Sequence, residues 1–280
     1  MSATAASAPR PRTGVGKVVA DSRVIAWRNL KRVPRIPELA IFAIFQSIMF
    51  VVLFAFVFGG AIVLPGYSDS NAYRQYLLPG VFVQTISFAA ATTAVGMTDD
   101  ANKGIIDRFR SLPMATSAVL AGRTVSDVVY NGGILIVLML SGLLVGWSVE
   151  SNVAGFIGGV VLLLAFAFAM SWVGVWLGLS VPTVEVAQQF AFIVIFPLSF
   201  VSSAFVPIAT MPAFLQPFAE WNPISSITSA CRQLFGNPNP FVKSGSFPSE
   251  HPIEMSIIWI VILVAVFAPL GVRRYRSMDR

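Results

Sequence analysis

Long stretches without charge alternate with short charged segments along this chain. A helix needs about 20 apolar residues to cross about 30 Å of hydrocarbon, and the period-2 alternation of a membrane β-barrel is absent. The pattern therefore predicts an all-α membrane protein with six transmembrane helices. These spans are expected at about residues 39–63, 76–98, 124–147, 153–180, 187–207 and 255–272.

Composition and the distribution of basic residues support this prediction and orient it. Of the 280 residues, 56% are hydrophobic and only 11% are charged, whereas soluble domains carry about a quarter charged residues. Of the 19 Lys and Arg residues, eight precede residue 39, four lie at 99–127 and four follow residue 272. Because Lys and Arg favour the cytoplasmic side, we expect both termini in the cytoplasm. The net charge of +6 then reflects contact with anionic membrane lipid and not with nucleic acid.

The segments outside the spans have their own expected roles. Residues 1–17 are small, polar and basic, which predicts a disordered cytoplasmic tail and leaves an organellar transit peptide as the alternative. Residues 38–272 would form the six-span domain, and residues 273–280 a second cytoplasmic tail. The single cysteine, Cys231, excludes a disulfide within the chain and any cysteine-based metal site.

Residues 18–37 precede the first span and have the pattern of an amphipathic helix. At 100° per residue Trp27 and Leu30 fall on one side, and Arg28 and Arg32 gather on another. This arrangement predicts a helix that lies in the cytoplasmic interface of the membrane. A solvated basic tail is the alternative, and it would leave Trp27 without a burial partner.

Glycines spaced four residues apart recur in the predicted spans. Such spacing lets helix backbones approach closely, and we expect it to serve packing within the bundle, not dimerisation. The pairs are Gly142 and Gly146, Gly155 and Gly159, and Gly174 and Gly178.

The stretch 211–235, "MPAFLQPFAEWNPISSITSACRQLF", is apolar but interrupted by Pro212, Pro217 and Pro223 into pieces too short to span. Apolar segments of ten to fourteen residues are typical of re-entrant or interfacial helices. By the charge distribution this stretch belongs to the outer side of the membrane. Its second half places four apolar residues on one helical face: Ile224, Ile227, Cys231 and Leu234.

One compact charged block, "GIIDRFRSLPM" at residues 104–114, stands between the second and third spans. Asp99 or Asp100 can cap a helix before it. Ile105, Phe109 and Leu112 align at i, i+4 and i+7, which predicts a short amphipathic helix with one apolar ridge. Docking into a cytoplasmic partner would explain both the ridge and the charges. A membrane-hugging basic loop is the alternative, and it explains only the arginines.

The chain offers no competing catalytic constellation. The single histidine, His251, has no cysteine or paired carboxylates near it in sequence that could hold a metal. Asp127 follows Arg123 by four residues, which indicates a local ion pair and not a proton-carrying acid. "GVGK" at 14–17 is not a phosphate loop, because Pro11 and Val18 stand where its first glycine and its hydroxyl residue are required. We therefore expect that the chain is not an enzyme by itself and binds no cofactor.

The block "DRFRSLPM" followed by "LAGR", together with residues 76–127 and 181–225 and the six-span layout, resembles the ABC type-2 permeases. The resemblance is to the branch of daunorubicin-resistance exporters, related to polysaccharide-export permeases. In that family a coupling helix sits in a groove of a separate ATP-binding subunit. The resemblance assigns this role to Ile105, Asp107, Arg108, Phe109, Arg110, Ser111, Leu112 and Pro113.

The resemblance implies further contacts. A second, smaller cytoplasmic contact would use Pro182, Thr183 and Glu185, and residues 18–37 would be the family's interface helix, with Trp27, Arg28, Leu30 and Arg32. The proline-broken stretch 211–235 is similar to the paired outer re-entrant helices that close the exit.

Function follows as an expectation from the same resemblance. Two copies of this permease, or one copy and a homologous sister, would form a twelve-span pore in the bacterial inner membrane, with two ATPase subunits that bind ATP and Mg²⁺. Because the spans lack charge, a hydrophobic or amphiphilic cargo is expected: a drug, a lipid or a lipid-linked glycan. Candidate residues of the cargo path are Phe82, Gln84, Phe88 and Phe192, with core packing as the alternative for the phenylalanines. A membrane scaffold or receptor subunit, which docks a cytoplasmic partner without transport, is the competing hypothesis.

Overall fold

A computed structural model of the chain describes residues 45–46, 48–53, 56, 70–106, 116–240 and 245–277. Within these ranges the regular structure is helical and contains no strand. The predicted interface helix and most of the first predicted span lie outside the described residues. Eight α-helices are described from residue 70 onward, with a 3₁₀ turn at Ile208–Thr210 between the fourth and fifth: α1 Ser70–Asn102, α2 Thr116–Val145, α3 Val153–Ser180, α4 Val184–Phe200, α5 Gln216–Glu220, α6 Pro223–Phe235, α7 Phe247–Glu250 and α8 Pro252–Ser277.

The helix ends follow from local capping chemistry. The Asn152 side chain accepts a hydrogen bond from the Gly155 amide at 2.8 Å and begins α3. Asn222 caps α6 in the same way, with Pro223 in its first turn. Gly236 ends α6 in the left-handed conformation at φ 76°, which glycine adopts without a Cβ penalty.

Four of the described helices, α1, α2, α3 and α8, are long and apolar enough to cross a membrane. This confirms an all-helical membrane architecture. α3 coincides with the predicted span 153–180, whereas α1 begins at Ser70 and not near residue 76. That extension includes Arg74, whose charge is accommodated by the carbonyl of Val145 at 3.5 Å and by the ring of Phe56.

The helix α4 ends before the predicted fifth span at 187–207 does. α4 has 17 residues and stops at Phe200, and Val201 donates its amide to the carbonyl of Pro197. Pro197 lies inside α4 and removes one helical donor, which weakens the last turn. The chain then continues through irregular backbone at residues 201–206.

α1 lies at the centre of the bundle and packs on α2, α3, α4 and α6. Its contact with α3 is close because Gly174 and Gly178 face it: a Cβ at either position would overlap the carbonyl oxygen of Ala90 or Ala94. Gly155 and Gly159 of α3 lie in the same way against the C-terminal end of α6. The expectation that these glycine pairs serve packing inside the bundle is confirmed.

α6 is buried on nearly all sides, between α1, α3 and α8. Its predicted apolar face is in the core, since Ile224, Ile227 and Cys231 are at most 1% exposed and Leu234 is partly buried. The opposite side, which carries serines, a threonine and Arg232, is buried as well. A helix lying flat on a membrane surface would expose that polar side, so α6 belongs to the packed interior.

Candidate functional site

The end of the bundle predicted to face the cytoplasm is the candidate functional site, because the charged block 104–114 starts from it. An apolar cluster closes this end, with contributions from α1, α2, α3 and α8: Met97, Ile106, Val119, Leu120, Trp172, Val175, Leu179 and Tyr275. Ile106 is 4% exposed, so the first residues of the charged block are held in the cluster. Ile105 beside it is half-buried.

The capping role predicted for Asp99 or Asp100 is wrong. Both residues lie inside α1, which continues to Asn102 because Thr98 donates its hydroxyl to the carbonyl of Gly178 on α3 and holds the last turns in place. The chain leaves the helix at Gly104, whose φ of 65° suits glycine. A side chain at this position would strain the turn that redirects the charged block.

Three ionised side chains, Asp100, Arg123 and Asp127, form a charge triad across the base of the charged block. The Arg123 guanidinium contacts the Asp100 carboxylate at 3.2 Å and the Asp127 carboxylate at 3.3 Å. The predicted Arg123–Asp127 ion pair is therefore confirmed. The pair with Asp100 could not be predicted from helical spacing, because Asp100 lies on α1, on the other side of the charged block.

Hydroxyl groups extend the charge triad to a third helix. Thr93 of α1 and Ser171 of α3 both donate to Asp127, at 2.8 and 2.9 Å. The three charged side chains are only 12–17% exposed, so their interactions are weakly screened by solvent. Gly96 makes room for the Arg123 guanidinium against α1, since a Cβ there would overlap it. The charge triad thus ties α1, α2 and α3 together where the charged block is attached.

The predicted second contact lies beside this site. Pro182 and Thr183 are exposed in the turn that joins α3 to α4, and Glu185 is exposed in the first turn of α4. Thr183 caps α4 by accepting a hydrogen bond from the Val186 amide at 3.4 Å. The Asn102 side chain, at the end of α1, donates to the Pro182 carbonyl at 3.3 Å. The structure therefore places the start of the charged block next to the α3–α4 turn.

The remaining predicted contact residues, Asp107 to Pro113, lie outside the described residues, as do Trp27, Arg28, Leu30 and Arg32 of the predicted interface helix. Their roles stay predictions from the sequence. The structure describes the start of the charged block, with Ile106 held in the apolar cluster, and α2 from Thr116 onward.

The four candidate residues of the cargo path do not form one surface. Phe82 is fully buried and its ring contacts Trp147 edge-on at 5.1 Å between centroids. Gln84 is 5% exposed. Phe88 and Phe192 do meet, with ring centroids 5.4 Å apart, and Phe192 is 43% exposed on α4. This Phe88–Phe192 pair is accessible from the side of the bundle, whereas Phe82 packs in the core.

Among the described residues, no group of three or more His, Cys, Asp and Glu side chains is arranged to hold a metal ion. His251 and Glu254 approach each other to 3.8 Å on the exposed surface at the start of α8. The buried polar side chains that do cluster are engaged in packing the helices.

Replacing Arg123 with glutamine is expected to destabilise the chain by about 3 kcal/mol, because two largely buried carboxylates lose the guanidinium that both of them contact. Unfolding in mixed detergent micelles would measure the change. Removing both charges as well, in Arg123→Gln with Asp100→Asn and Asp127→Asn, should restore part of the loss. If the triple variant is less stable than Arg123→Gln alone, the carboxylates do not depend on Arg123.

Comparison with known proteins identifies the family that the chain belongs to. The profile of the ABC-2 type transporter family matches residues 21–235. The daunorubicin resistance ABC transporter permease protein DrrB1 of Streptomyces coeruleorubidus is 32% identical over 254 residues, which cover 90% of this chain and 85% of the relative. The doxorubicin resistance ABC transporter permease protein DrrB of Mycobacterium tuberculosis is 24% identical over 196 residues, 69% of this chain and 66% of the relative. The putative transport permease ycf38 of Pyropia yezoensis is 23% identical over 224 residues, 79% and 76% of the two chains.

Proposed function

This chain belongs to the ABC-2 transporter family, and from that premise we propose that it is the permease subunit of an ATP-driven exporter whose ATP-binding subunit is a separate chain. The observation that carries the proposal is the junction of Asn102 with Pro182, which brings the start of the charged block beside the α3–α4 turn. Two cytoplasmic elements side by side can be engaged by one partner. The partner would bind ATP and Mg²⁺ and perform the hydrolysis.

Coupling would pass through the charge triad. Near its start, the charged block is held in the apolar cluster by Ile106, and the chain returns to the bundle in α2. Arg123 connects that return to α1, and Asp127 connects it to α3 through Ser171. A displacement of the charged block would therefore be transmitted to α1, α2 and α3 together. Nucleotide can drive such a movement only if the partner binds the two packings with different free energies.

The cargo would be hydrophobic or amphiphilic, and would leave the cytoplasm or the inner leaflet. The Phe88–Phe192 pair on the side of α4 supports entry of an aromatic or lipid-like molecule from the membrane. The names of two relatives point to anthracycline drugs, and a lipid or a lipid-linked glycan would suit the same apolar surface. An unpaired charge would meet a cost of about 2.5–3.5 kcal/mol at the centre of such a path.

Assembly would pair this chain with a second permease, either a copy of itself or a homologous sister, above two ATP-binding subunits. α4 offers an apolar face for this, with six large side chains that are 42–68% exposed: Val186, Phe190, Ile193, Val194, Phe196 and Phe200. Both termini would lie on the cytoplasmic side of the inner membrane.

Purification of the tagged permease from its native membranes tests the proposal. An ATP-binding subunit should co-purify, and inside-out vesicles holding the complex should accumulate daunorubicin or a fluorescent lipid in the presence of Mg-ATP but not of a non-hydrolysable analogue. A complex that hydrolyses ATP and moves neither probe would favour the scaffold hypothesis. Absence of any ATP-binding subunit from the purified material would refute the proposal.

A further inference from the structure

Arg232 on α6 is a fully buried arginine that has no acidic partner among the described residues. Its side chain is 0% exposed, and the ion pairs recorded among the described residues do not include it. Removing a charge from water costs several kcal/mol unless other groups replace the lost hydration. Arg232 belongs to the stretch 211–235, which the sequence predicts to lie on the outer side of the membrane.

Backbone carbonyl groups take the place of a carboxylate. Arg232 donates from Nε to the carbonyl of Tyr76 on α1 at 2.8 Å. It donates from Nη2 to the carbonyls of Ser203 and Ala204, at 2.8 and 3.2 Å. The guanidinium also stacks on the Tyr76 ring, 3.4 Å from its centroid. One side chain thus joins α6, α1 and residues 201–206, which we call the exit segment.

The exit segment needs these donors because α4 ends early. The last carbonyls of a helix have no helical N–H partner, and in an apolar interior other groups must satisfy them. Asn222 donates to the carbonyls of Leu198 and Val201 at 2.7 and 2.6 Å. The hydroxyl group of Tyr76 donates to the carbonyl of Ser203 at 2.7 Å, and that of Tyr73 donates to the carbonyl of Phe205 at 3.3 Å. Together with Arg232 and Asn222, these tyrosines are the four side chains that donate to carbonyl groups at the end of α4 and in the exit segment.

The contact with α1 depends on a missing side chain. A Cβ on Gly80 would overlap the carbonyl of Ala204, so glycine allows the exit segment to lie directly on α1. A guanidinium at the C-terminal end of α4 is favourable, because the carbonyl groups there carry partial negative charge. Both features stabilise the arrangement in which the exit segment packs on α1, which we call closed.

One hydrogen-bond donor of Arg232 is nevertheless left unsatisfied within the described part of the chain. Nη1 of Arg232 is buried and has no hydrogen-bond partner among the described residues. A charged donor left unsatisfied is costly, and water could reach it only if the exit segment moved away from α1. The closed arrangement gains carbonyl hydrogen bonds and loses guanidinium hydration, and an open one would reverse both. Opposing contributions of this kind reduce the free-energy advantage of the closed arrangement, and a part that moves between two packings requires that this advantage be small.

We propose that Arg232 is a latch that holds the exit segment against α1, and that this latch opens during the transport cycle to release cargo on the outer side. The inference rests on the export function proposed above and adds the residue that keeps the exit closed. Arg232 is thus a positioning residue, which acts through the backbone of the exit segment and not by touching the cargo.

Cys231 provides a built-in reporter of the latch. It is the single cysteine of the chain, it is fully buried, and it precedes Arg232 on α6. A polar maleimide should therefore label the purified full-length permease in lipid nanodiscs slowly, at a rate that reports the open fraction. Arg232→Met, which keeps the volume but removes the donors, should raise the labelling rate at least tenfold. Gln233→Ala, a change at the exposed neighbouring residue, should leave the rate unchanged.

Two variants that remove fewer interactions test the same proposal if Arg232→Met does not fold. Tyr76→Phe removes only the hydroxyl bonded to Ser203, and Arg232→Lys keeps a charge but loses the forked geometry. Each should raise the labelling rate about threefold. If Cys231 is labelled at the wild-type rate in both variants, the proposal that Arg232 is a latch is refuted.

The transport cycle is tested separately. Vanadate trapping of the complex with its ATP-binding subunit should raise labelling of unmodified Cys231. An unchanged rate after trapping, in a complex that exports cargo before vanadate is added, would refute opening during the cycle. A chain that exports nothing, yet labels faster after Arg232→Met, would contradict the proposed export function and leave the closed-state role of Arg232 intact.

Discussion

Replacing Gly178 with alanine is expected to destabilise the folded chain by about 3 kcal/mol, one of the largest effects available to a single methyl group here. A Cβ at this position would overlap the carbonyl oxygen of Ala94 and lie 2.8 Å from the Cβ of Met97. The overlap is with backbone and with a Cβ, which cannot rotate away. α1 and α3 would have to separate, and the hydrogen bond from Thr98 to the Gly178 carbonyl would lengthen.

Gly133 on α2 is the matched control. The same methyl group added there would meet nothing within 4 Å. Gly133→Ala should therefore be neutral or slightly stabilising, since alanine favours helix more than glycine does. Unfolding of both variants and of the wild type in mixed micelles of increasing SDS fraction measures the difference. Equal midpoints for Gly178→Ala and Gly133→Ala would mean that α1 and α3 do not pack as described.

The long helices could be predicted from the sequence because one physical effect, the exclusion of charge from the membrane interior, determines where they occur. Hydrocarbon tolerates few charges, so uncharged stretches of about 20 residues mark the spans. Their ends could not be predicted from the same pattern. α4 stops at Phe200 because Asn222, Arg232 and Tyr76 supply donors to the carbonyls beyond it. These residues are remote in sequence, and no local signal in α4 announces them.

The candidate site divides in the same way. The Arg123–Asp127 pair follows from helical spacing and was predictable. Asp100 joins Arg123 across the charged block, and Ser171 reaches Asp127 from α3, so both depend on how the helices pack. A serine or threonine inside a predicted span is the only signal the sequence gives for such partners, and it does not identify the acceptor.

Arg232 shows how far the sequence pattern reaches. The pattern places it in the stretch 211–235, predicted as a re-entrant or interfacial helix on the outer side, and charged side chains are usually exposed. Its burial becomes understandable only once the broken end of α4 is known, since that end presents the carbonyl groups that replace hydration. A sequence pattern gives the environment that a residue type usually occupies, whereas the structure shows the hydrogen-bonding groups that surround this particular arginine.

Replacing Phe109 with aspartate is expected to abolish coupling to the ATP-binding subunit. Phe109 lies on the predicted apolar ridge of the charged block, and a carboxylate there would have to be desolvated when the ridge enters a groove. Loss of a buried phenylalanine alone would cost about 2 kcal/mol, or more than tenfold in affinity. The co-purified ATP-binding subunit should fall at least tenfold, and ATP-dependent export should fall with it.

Phe109→Leu is the control for this prediction, because leucine keeps an apolar side chain on the ridge and should retain most binding and export. Folding should be spared in both variants, since the described anchors of the charged block, Ile106 and the charge triad, are untouched. Unfolding midpoints equal to the wild type would establish this. Full export by Phe109→Asp with a normal amount of bound ATP-binding subunit would show that the ridge does not dock, and the partner would then have to be sought at the α3–α4 turn, where Glu185→Ala becomes the next variant.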